Sequence, residues 1–393
     1  MKILVVCQLY YPENFVITNI AEELVKFGHD VTVLTGKPNY GFGEILPEYK
    51  NIKYQEINGV KIHRVKLVAR SQSRISTIKN YLSFWKNSKK WVKKCKEKYD
   101  IVFSMSLSPV TILSAGNLYK KLHHTKHVVY CVDLWPESVL VTNAVKKNSL
   151  FYKFIYIWSK KLYQKADEII IGSPSFKEYF AKVLNLGYKP FSYIPQPSLV
   201  EGTSEENYVY EKPFNILYCG NLGLIQLIPL IPEAMKDLDG VAFHIIGMGP
   251  LTNNLISKID EYHLEEKIFY HGPITAKRAA AYFTGADALY VSLKSEGYVG
   301  KTIPNKLVMA MAFAKPIIAV LDGDGKKVLE ESKGAVFASE NAESLKNAIL
   351  KLKQMNKAQK EAMGQANRQY FLNEFTLDNV CKKIEKILLN NVK

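Results

Sequence analysis

Phe214-Asn215-Ile216-Leu217-Tyr218-Cys219-Gly220-Asn221-Leu222-Gly223 runs from a short apolar, β-rich stretch straight into a turn carrying two glycines. The pattern returns at 241–246 before Gly247-Met248-Gly249-Pro250, and at 267–270 before His271-Gly272-Pro273. Strand-like runs continue at 286–292, 316–320 and 335–337, with helical patterns between them. Repeated strand–helix–strand units give a parallel sheet covered on both faces. The first half has the same rhythm, with strand-like runs at 3–7, 31–34, 60–65, 101–105, 128–132, 168–171 and 192–194. Between the halves, Pro195 to Pro213 is rich in Pro, Ser, Glu and Gly. The expectation is α/β: two Rossmann-like domains facing a central cleft, 1–197 and 213–375, joined by a linker at 198–212.

At 393 residues, 47% apolar and 23% charged, the chain is neither disordered nor fibrous, and its length favours two domains. No apolar stretch approaches the roughly 18 residues of a spanning helix, and the run at 3–7 is too short for a signal peptide. The five cysteines form no CxxC pair and the eight histidines no ligand spacing. A disulfide framework and a structural zinc site are disfavoured, which fits a reducing cytoplasm.

The net charge of +16 is unevenly divided. Residues 1–200 hold 30 Lys and Arg against 14 Asp and Glu, whereas the remainder holds 23 of each. Positive charge confined to one domain points to a polyanionic surface met by that domain alone. Within it, 70–98 carries ten basic residues and a single acid, Glu97. Ile75, Ile78, Leu82, Trp85 and Val92 recur at helical spacing, with Phe84 and Trp91 on an adjoining stripe. This reads either as a core-packed helix with a solvated face or as a helix at an anionic membrane. On the second reading Arg70, Arg74, Trp85, Lys86, Lys89, Lys90, Trp91 and Lys93 meet acceptor and lipid. No helix-turn-helix, RNP or zinc-finger pattern supports nucleic acid.

After the first strand stands Gln8-Leu9-Tyr10-Tyr11-Pro12-Glu13 rather than GxGxxG, and no P-loop occurs, which disfavours a dehydrogenase or P-loop NTPase. Three glycine turns in register at strand ends suit a nucleotide, because free helix N–H groups gather there. The most informative stretch is Lys301-Thr302-Ile303-Pro304-Asn305-Lys306-Leu307-Val308-Met309-Ala310-Met311-Ala312. Pro304 suits a first helical turn, with Thr302 or a neighbour as cap. Lys306 would then offer a point charge beside unpaired amides, as a diphosphate requires.

These segments resemble family 4 glycosyltransferases of the GT-B fold, of the bacterial capsule, O-antigen and colanic-acid type. The resemblance runs over essentially the whole chain. Its markers are Tyr10-Tyr11-Pro12-Glu13-Asn14, the stretch 31–40 ending Gly36-Lys37-Pro38-Asn39-Tyr40, Asn80-Tyr81-Leu82-Ser83-Phe84 and Asp133-Leu134-Trp135-Pro136-Glu137-Ser138. In the second half they are the Gly220 and Gly247 turns and Thr302 to Lys306. The resemblance implies a retaining, metal-independent transferase that moves a sugar from a nucleotide donor, usually UDP-linked. The implied acceptor is a saccharide on a polyprenyl diphosphate at the cytoplasmic membrane face, and no cofactor is implied. Lys306 and the amides near Thr302, Ile303, Pro304 and Asn305 would hold the diphosphate and donor sugar. Gly220, Asn221 and Gly223, with Gln226, would line the phosphates. Gly247, Gly249, Gly272 and Ile274 would frame base and ribose. The last segment, 376–393, would pack back on the first domain.

The departures bear on the same site. Relatives often place two glutamates eight residues apart where this chain has Lys301 and Met309. A methionine cannot accept ribose hydroxyls as a carboxylate does, so Glu296 is a candidate stand-in. Gln226 replaces a frequent basic residue, Phe15-Val16 fills a place where glycine is usual, and Val132 precedes Asp133 where histidine is usual. Asp133 is either an acceptor-side polar group or a helix cap. Asp322-Gly323-Asp324 spells a metal motif of another transferase fold, but its position favours a loop over the donor sugar. Two alternatives stay open, a nucleotide-sugar 2-epimerase and a non-catalytic partner subunit.

Overall fold

The computed structural model describes every residue except 14, 72, 142–144, 201 and 393. Asn14 of the first marker therefore lies outside the described residues. The chain forms two compact units, Met1–Pro197 with Leu377–Lys393, and Ser198–Thr376.

The first unit is built on eight strands: β1 (Lys2–Val6), β2 (Asp30–Gly36), β3 (Tyr54–Ile57), β4 (Val60–Val65), β5 (Ile101–Ser106), β6 (Lys126–Cys131), β7 (Glu168–Ile171) and β8 (Phe191–Tyr193). Their order is β3-β4-β2-β1-β5-β6-β7-β8, and all pairings are parallel except β3 with β4. The helices are α1 (Val16–Lys26), α2 (Arg74–Lys94), α3 (Leu113–His123), α4 (Glu137–Val141), α5 (Leu150–Gln164) and α6 (Ser175–Lys182). Central strands such as β5 are buried throughout, which is why they read as unbroken apolar runs. The edge strand β3 is half exposed and absent from the sequence reading, because only one of its four residues is aliphatic. The Asn58-Gly59 turn that pairs it with β4 has φ of 50° and 77°, as a two-residue hairpin of this hand requires.

The second unit has six parallel strands, β9 (Asn215–Cys219), β10 (Ala242–Ile246), β11 (Ile268–Gly272), β12 (Ala288–Ser292), β13 (Ile317–Val320) and β14 (Ala335–Phe337), in the order β11-β10-β9-β12-β13-β14. Its helices are α7 (Leu230–Met235), α8 (Thr252–Glu261), α9 (Ala276–Gly285), α10 (Asn305–Ala312), α11 (Gly323–Ser332), α12 (Ala342–Gln354) and α13 (Lys357–Glu374). Apolar clusters cover both faces of this sheet. The segment 198–212, expected as a linker, instead lies against this unit. Tyr208 stacks on Tyr282 at 3.9 Å, and the Tyr210 hydroxyl donates to the Tyr282 carbonyl. Two half-buried aromatic anchors dock the segment on the edge of this core despite its polar composition.

The last helix, α14 (Leu377–Val392), buries Val380, Cys381, Ile384 and Leu388 against α1, β5 and β6 of the first unit. His29 Nε2 lies 2.8 Å from Glu385, and Asn391 donates to Glu168 at 2.7 Å.

Helix α2 corrects one expectation. The spacing assigned Ile75, Ile78, Leu82, Trp85 and Val92 to a single apolar face, but the helix buries Asn80, Phe84, Ser88 and Val92. Ile75 is 67% exposed, Ile78 49% and Leu82 44%. The reason is that Asn80 satisfies three buried partners while Ser88 and Phe84 admit close packing on α3, so the inward stripe is chosen by hydrogen bonding and shape.

Candidate active site

In an open parallel sheet, ligands bind beyond the carboxyl ends of the strands where the strand order reverses. In the second unit that point lies between β9 and β12. The turn after β9 is Gly220 to Gly223, and the segment after β12 leads to α10. Lys294 N donates to the Ile225 carbonyl at 2.8 Å, so the two segments are tied together.

Lys306 sits in the first turn of α10. Its Nζ donates to Tyr218 Oη at 2.9 Å and lies over that ring. Tyr218 in turn donates to the Asn221 carbonyl at 2.6 Å, leaving its lone pair for the ammonium. Burial pushes the Lys306 ammonium down to about 8, and no carboxylate is among the groups that oppose the shift. The helix starts at Asn305, not at Pro304. Pro304 is its cap residue and supplies no side-chain hydrogen bond, while the Thr302 hydroxyl, expected as a cap, donates instead to the Val299 carbonyl at 2.8 Å. An uncapped helix start therefore adjoins a half-buried cation.

The glycines bring the neighbouring turns close. A Cβ on Gly247 would lie 1.9 Å from the Gly220 carbonyl, and its φ of 131° suits glycine alone. Gly249 approaches Leu222 and Asn221, and Gly223 approaches Gln226. Gly220 N donates to Ile246 and Gly247 N to Gly272. The Gln226 side-chain oxygen is buried without a partner, which leaves a polar atom at this turn for a ligand to satisfy. Gly220, Asn221, Gly223, Gln226, Gly247, Gly249 and Lys306 thus gather at one end of the sheet. Ile274 packs on the apolar cluster behind them, as does Met309, one turn along α10 from Lys306.

Glu296, the candidate stand-in at the ribose, lies two residues beyond the Lys294 tie. It is largely exposed and pairs with Lys294 at 2.6 Å, which holds its carboxyl below the usual range. Lys301 lies over the Tyr298 ring, and its backbone is where Gly323 packs. Asp322 is the exposed residue preceding α11 and Asp324 is buried in its first turn, so the two acids of the DxD sequence meet different surroundings.

In the first unit the strand order reverses between β1 and β5. Asp133 follows β6 beside that point. Burial raises its carboxyl, against a hydrogen bond from Ser108 at 2.7 Å. Ser108 also accepts from Trp135 Nε1. Beyond β2 and β4 lies a polar network that composition does not reveal. Glu13 accepts the Asn39 and Tyr40 amides, and Asn39 Oδ1 accepts from Arg70 N at 2.9 Å and Asn80 Nδ2 at 3.1 Å. Arg64 is buried across the Gly36 and Tyr11 carbonyls.

The surface on α2 continues onto α5, which the sequence reading left aside. Leu150, Phe151, Phe154 and Ile157 are 84%, 54%, 60% and 50% exposed. The stripe Ile75, Ile78, Leu82, Trp85 meets the stripe Phe151, Phe154, Trp158 where Trp85 and Trp158 contact edge to face at 5.7 Å. Residues 138–166 hold six lysines and no acid. Among the described residues no ion pair involves a lysine of α2 or α5. Lys89 lies over the Trp85 ring, and Arg74, Lys86, Lys90 and Lys93 are exposed around the stripe, with Trp91 half-buried against His63.

Two α/β units built on largely parallel sheets, one with a lysine and glycine turns gathered at its strand-order reversal, fit the GT-B class. Residues 14–197 match Glycosyltransferase Family 4 and residues 201–370 match Glycosyl transferases group 1. The chain belongs to the family 4 glycosyltransferases, a family of transferase enzymes. It is 24% identical over 243 residues to the probable glycosyltransferase WbjE of Pseudomonas aeruginosa, a match covering 57% of this chain and 58% of the relative. Among solved structures, sucrose-phosphate synthase of Thermosynechococcus elongatus aligns with a TM-score of 0.74 at 15% identity, over 99% of this chain and 98% of that one. Anabaena HepE, solved with UDP, aligns at 0.69 and 14% identity over 99% and 100%. WaaG, a glycosyltransferase involved in lipopolysaccharide biosynthesis, aligns at 0.66 and 12% over 99% of each chain. These likenesses establish the fold.

Proposed function

We propose that this protein is a retaining, metal-independent glycosyltransferase moving a hexosyl or N-acetylhexosaminyl group from a UDP-sugar to a lipid-linked saccharide in bacterial surface polysaccharide synthesis. The observation that carries the reading is Lys306: a half-buried ammonium with no carboxylate partner, beside an uncapped helix start and the Gly220 turn. As the glycosidic bond breaks, its electron pair leaves with the nucleoside diphosphate. A cation placed there interacts more strongly with the departing diphosphate than with the intact donor, which lowers the barrier. The same cation supplies charge that a divalent metal supplies elsewhere. Solved UDP and UDP-glucose complexes of HepE favour a uridine donor.

The α2–α5 surface supports a peripheral place at the inner face of the cell membrane, with Asp133 on the acceptor side. No helix among the described residues is long and apolar enough to cross a membrane. Exposed aromatic residues ringed by unpaired lysines fit an anionic interface, each lysine contributing about 1 kcal/mol.

Thermal stability against UDP, GDP, dTDP, CMP and UDP-sugars, with and without EDTA, tests the donor side. A UDP-specific shift indifferent to EDTA and absent in Lys306→Ala is expected. No shift with any nucleotide at millimolar concentration would favour a non-catalytic partner subunit. Epimerised free sugar released without acceptor would favour an epimerase.

A further inference from the structure

Arg70 lies five residues beyond β4, on the same rim of the first unit as Asp133. Its guanidinium is held by aromatic rings: it lies 5.3 Å from the Tyr40 centroid and 5.8 Å from that of Tyr81, with Nη1 3.4 Å from the Tyr81 hydroxyl. Among the described residues no ion pair reaches it. Tyr40 is 45% exposed, so the cradle opens to solvent.

The cradle is set in place by buried hydrogen bonds. Asn39 Oδ1 accepts the Arg70 amide, and the Tyr40 amide donates to Glu13 at 2.6 Å. Asn80, next to Tyr81, donates to Asn39 Oδ1 and to the Val68 carbonyl at 2.6 Å, and accepts from Gln8 at 2.6 Å. The backbone of Arg70 and of both rings is therefore tied to one network, and little ordering remains to be done on binding. A planar guanidinium stacked on rings keeps its N–H edge for a bidentate oxyanion.

Two neighbours say what kind of oxyanion. Asp133, the candidate acceptor group, follows β6 on the same strand-end rim as the cradle. Five residues further along the chain begins the exposed stripe Ile75, Ile78, Leu82. A cation standing between a polar rim and an apolar stripe matches an amphiphile with a phosphate head and a hydrocarbon tail.

We propose that Arg70, cradled by Tyr40 and Tyr81, is the binding site for the diphosphate of a prenyl-diphosphate-linked acceptor, whose hydrocarbon chain runs along Ile75, Ile78 and Leu82. The inference rests on the lipid-linked acceptor reading and deepens it. Neither the glycine turns nor Lys306 take part.

Farnesyl diphosphate, with inorganic pyrophosphate, farnesol and phosphatidylglycerol vesicles as separate arms, is the probe. Binding is measured calorimetrically in saturating UDP for the wild type, Arg70→Gln and Arg70→Lys, with the UDP-induced thermal shift as the check on folding. Farnesyl diphosphate should bind the wild type and weaken roughly 10- to 100-fold in Arg70→Gln, the loss of a charged hydrogen-bonding partner. Arg70→Lys should recover only part, and farnesol should be indifferent to all three. Equal affinity of wild type and Arg70→Gln, or no binding to the wild type at millimolar concentration, overturns the proposal. So does a variant that loses vesicle binding but keeps farnesyl diphosphate. If UDP fails to bind yet farnesyl diphosphate still depends on Arg70, the transferase reading falls and this site stands.

Discussion

Lys306 Nζ donates to Tyr218 Oη at 2.9 Å, and that hydroxyl is already committed as a donor to the Asn221 carbonyl at 2.6 Å. The phenol is thereby locked as an acceptor facing the half-buried ammonium. Tyr218→Phe removes the acceptor and leaves the packing nearly unchanged. The variant is expected to fold, to hold Lys306 further below its ordinary value, and to bind UDP about tenfold more weakly at pH 8. Calorimetric titration at pH 6.5 and 8.5 checks this, because the deficit should shrink at the lower pH.

The pH dependence of the wild type follows from the same group. Its ammonium is lowered from 10.5 to about 8 by burial. Below about pH 8 the charged form meets the diphosphate; above it the neutral amine does not, so UDP affinity should fall as pH rises through 8. Stability moves the other way. Between about pH 8 and 10.5 the unfolded chain binds the proton and the folded chain does not, so folding gains with rising pH. Relative to Lys306→Met, the wild type should therefore narrow its stability deficit over that window, read from denaturant midpoints at each pH.

Much of this architecture was legible in the sequence, and the exceptions share a physical cause. Buried parallel strands announce themselves as apolar runs, so β9 to β14 and their glycine turns are readable directly. Lys306 stands out because proline and an alanine-rich helix frame it. Tyr218, its partner, does not, since a tyrosine in a buried strand reads as core. Likewise Asn80 and Ser88 occupy the inward face of α2 where spacing alone favours Ile78 and Leu82. Periodicity reports that two faces differ; hydrogen-bond satisfaction decided which one turned inward. The α5 stripe was missed because its apolar residues are contiguous enough to pass for core.

That reversal of α2 yields a test. Phe84 is fully buried, so Phe84→Ala should cost about 3–5 kcal/mol. Ile78→Ser and Phe154→Ser, at exposed positions, should fall within about 0.5 kcal/mol of the wild type. The double variant Ile78→Ser, Phe154→Ser should nevertheless lose most of its sedimentation with phosphatidylglycerol vesicles. Wild-type binding should itself weaken with salt and with replacement of the anionic lipid by phosphatidylcholine. Vesicle binding unaffected by the double variant would remove the α2–α5 surface from the membrane reading.

The glycine turns offer a sharper contrast, because two glycines with left-handed backbone differ in what surrounds them. A Cβ on Gly247 would sit 1.9 Å from the Gly220 carbonyl, whereas one on Gly272 would meet nothing within 4 Å. Gly272→Ala carries only the conformational cost of its φ of 66°, about 1–2 kcal/mol, and, with its Cβ in open space, should weaken UDP binding less than Gly247→Ala. Gly247→Ala carries a larger backbone cost at its φ of 131° and must also push the two turns apart. Separating them moves the Gly220 segment relative to Lys306, whose Nζ would lie 3.8 Å from a Cβ at Gly220. UDP affinity should then drop more than the loss of stability accounts for, on the order of 100-fold for a misplacement near an ångström. Thermal midpoints and UDP titrations of the two variants side by side separate these effects: Gly247→Ala should have the lower midpoint and an affinity loss beyond what that accounts for, and equal affinity would place the nucleotide away from these turns.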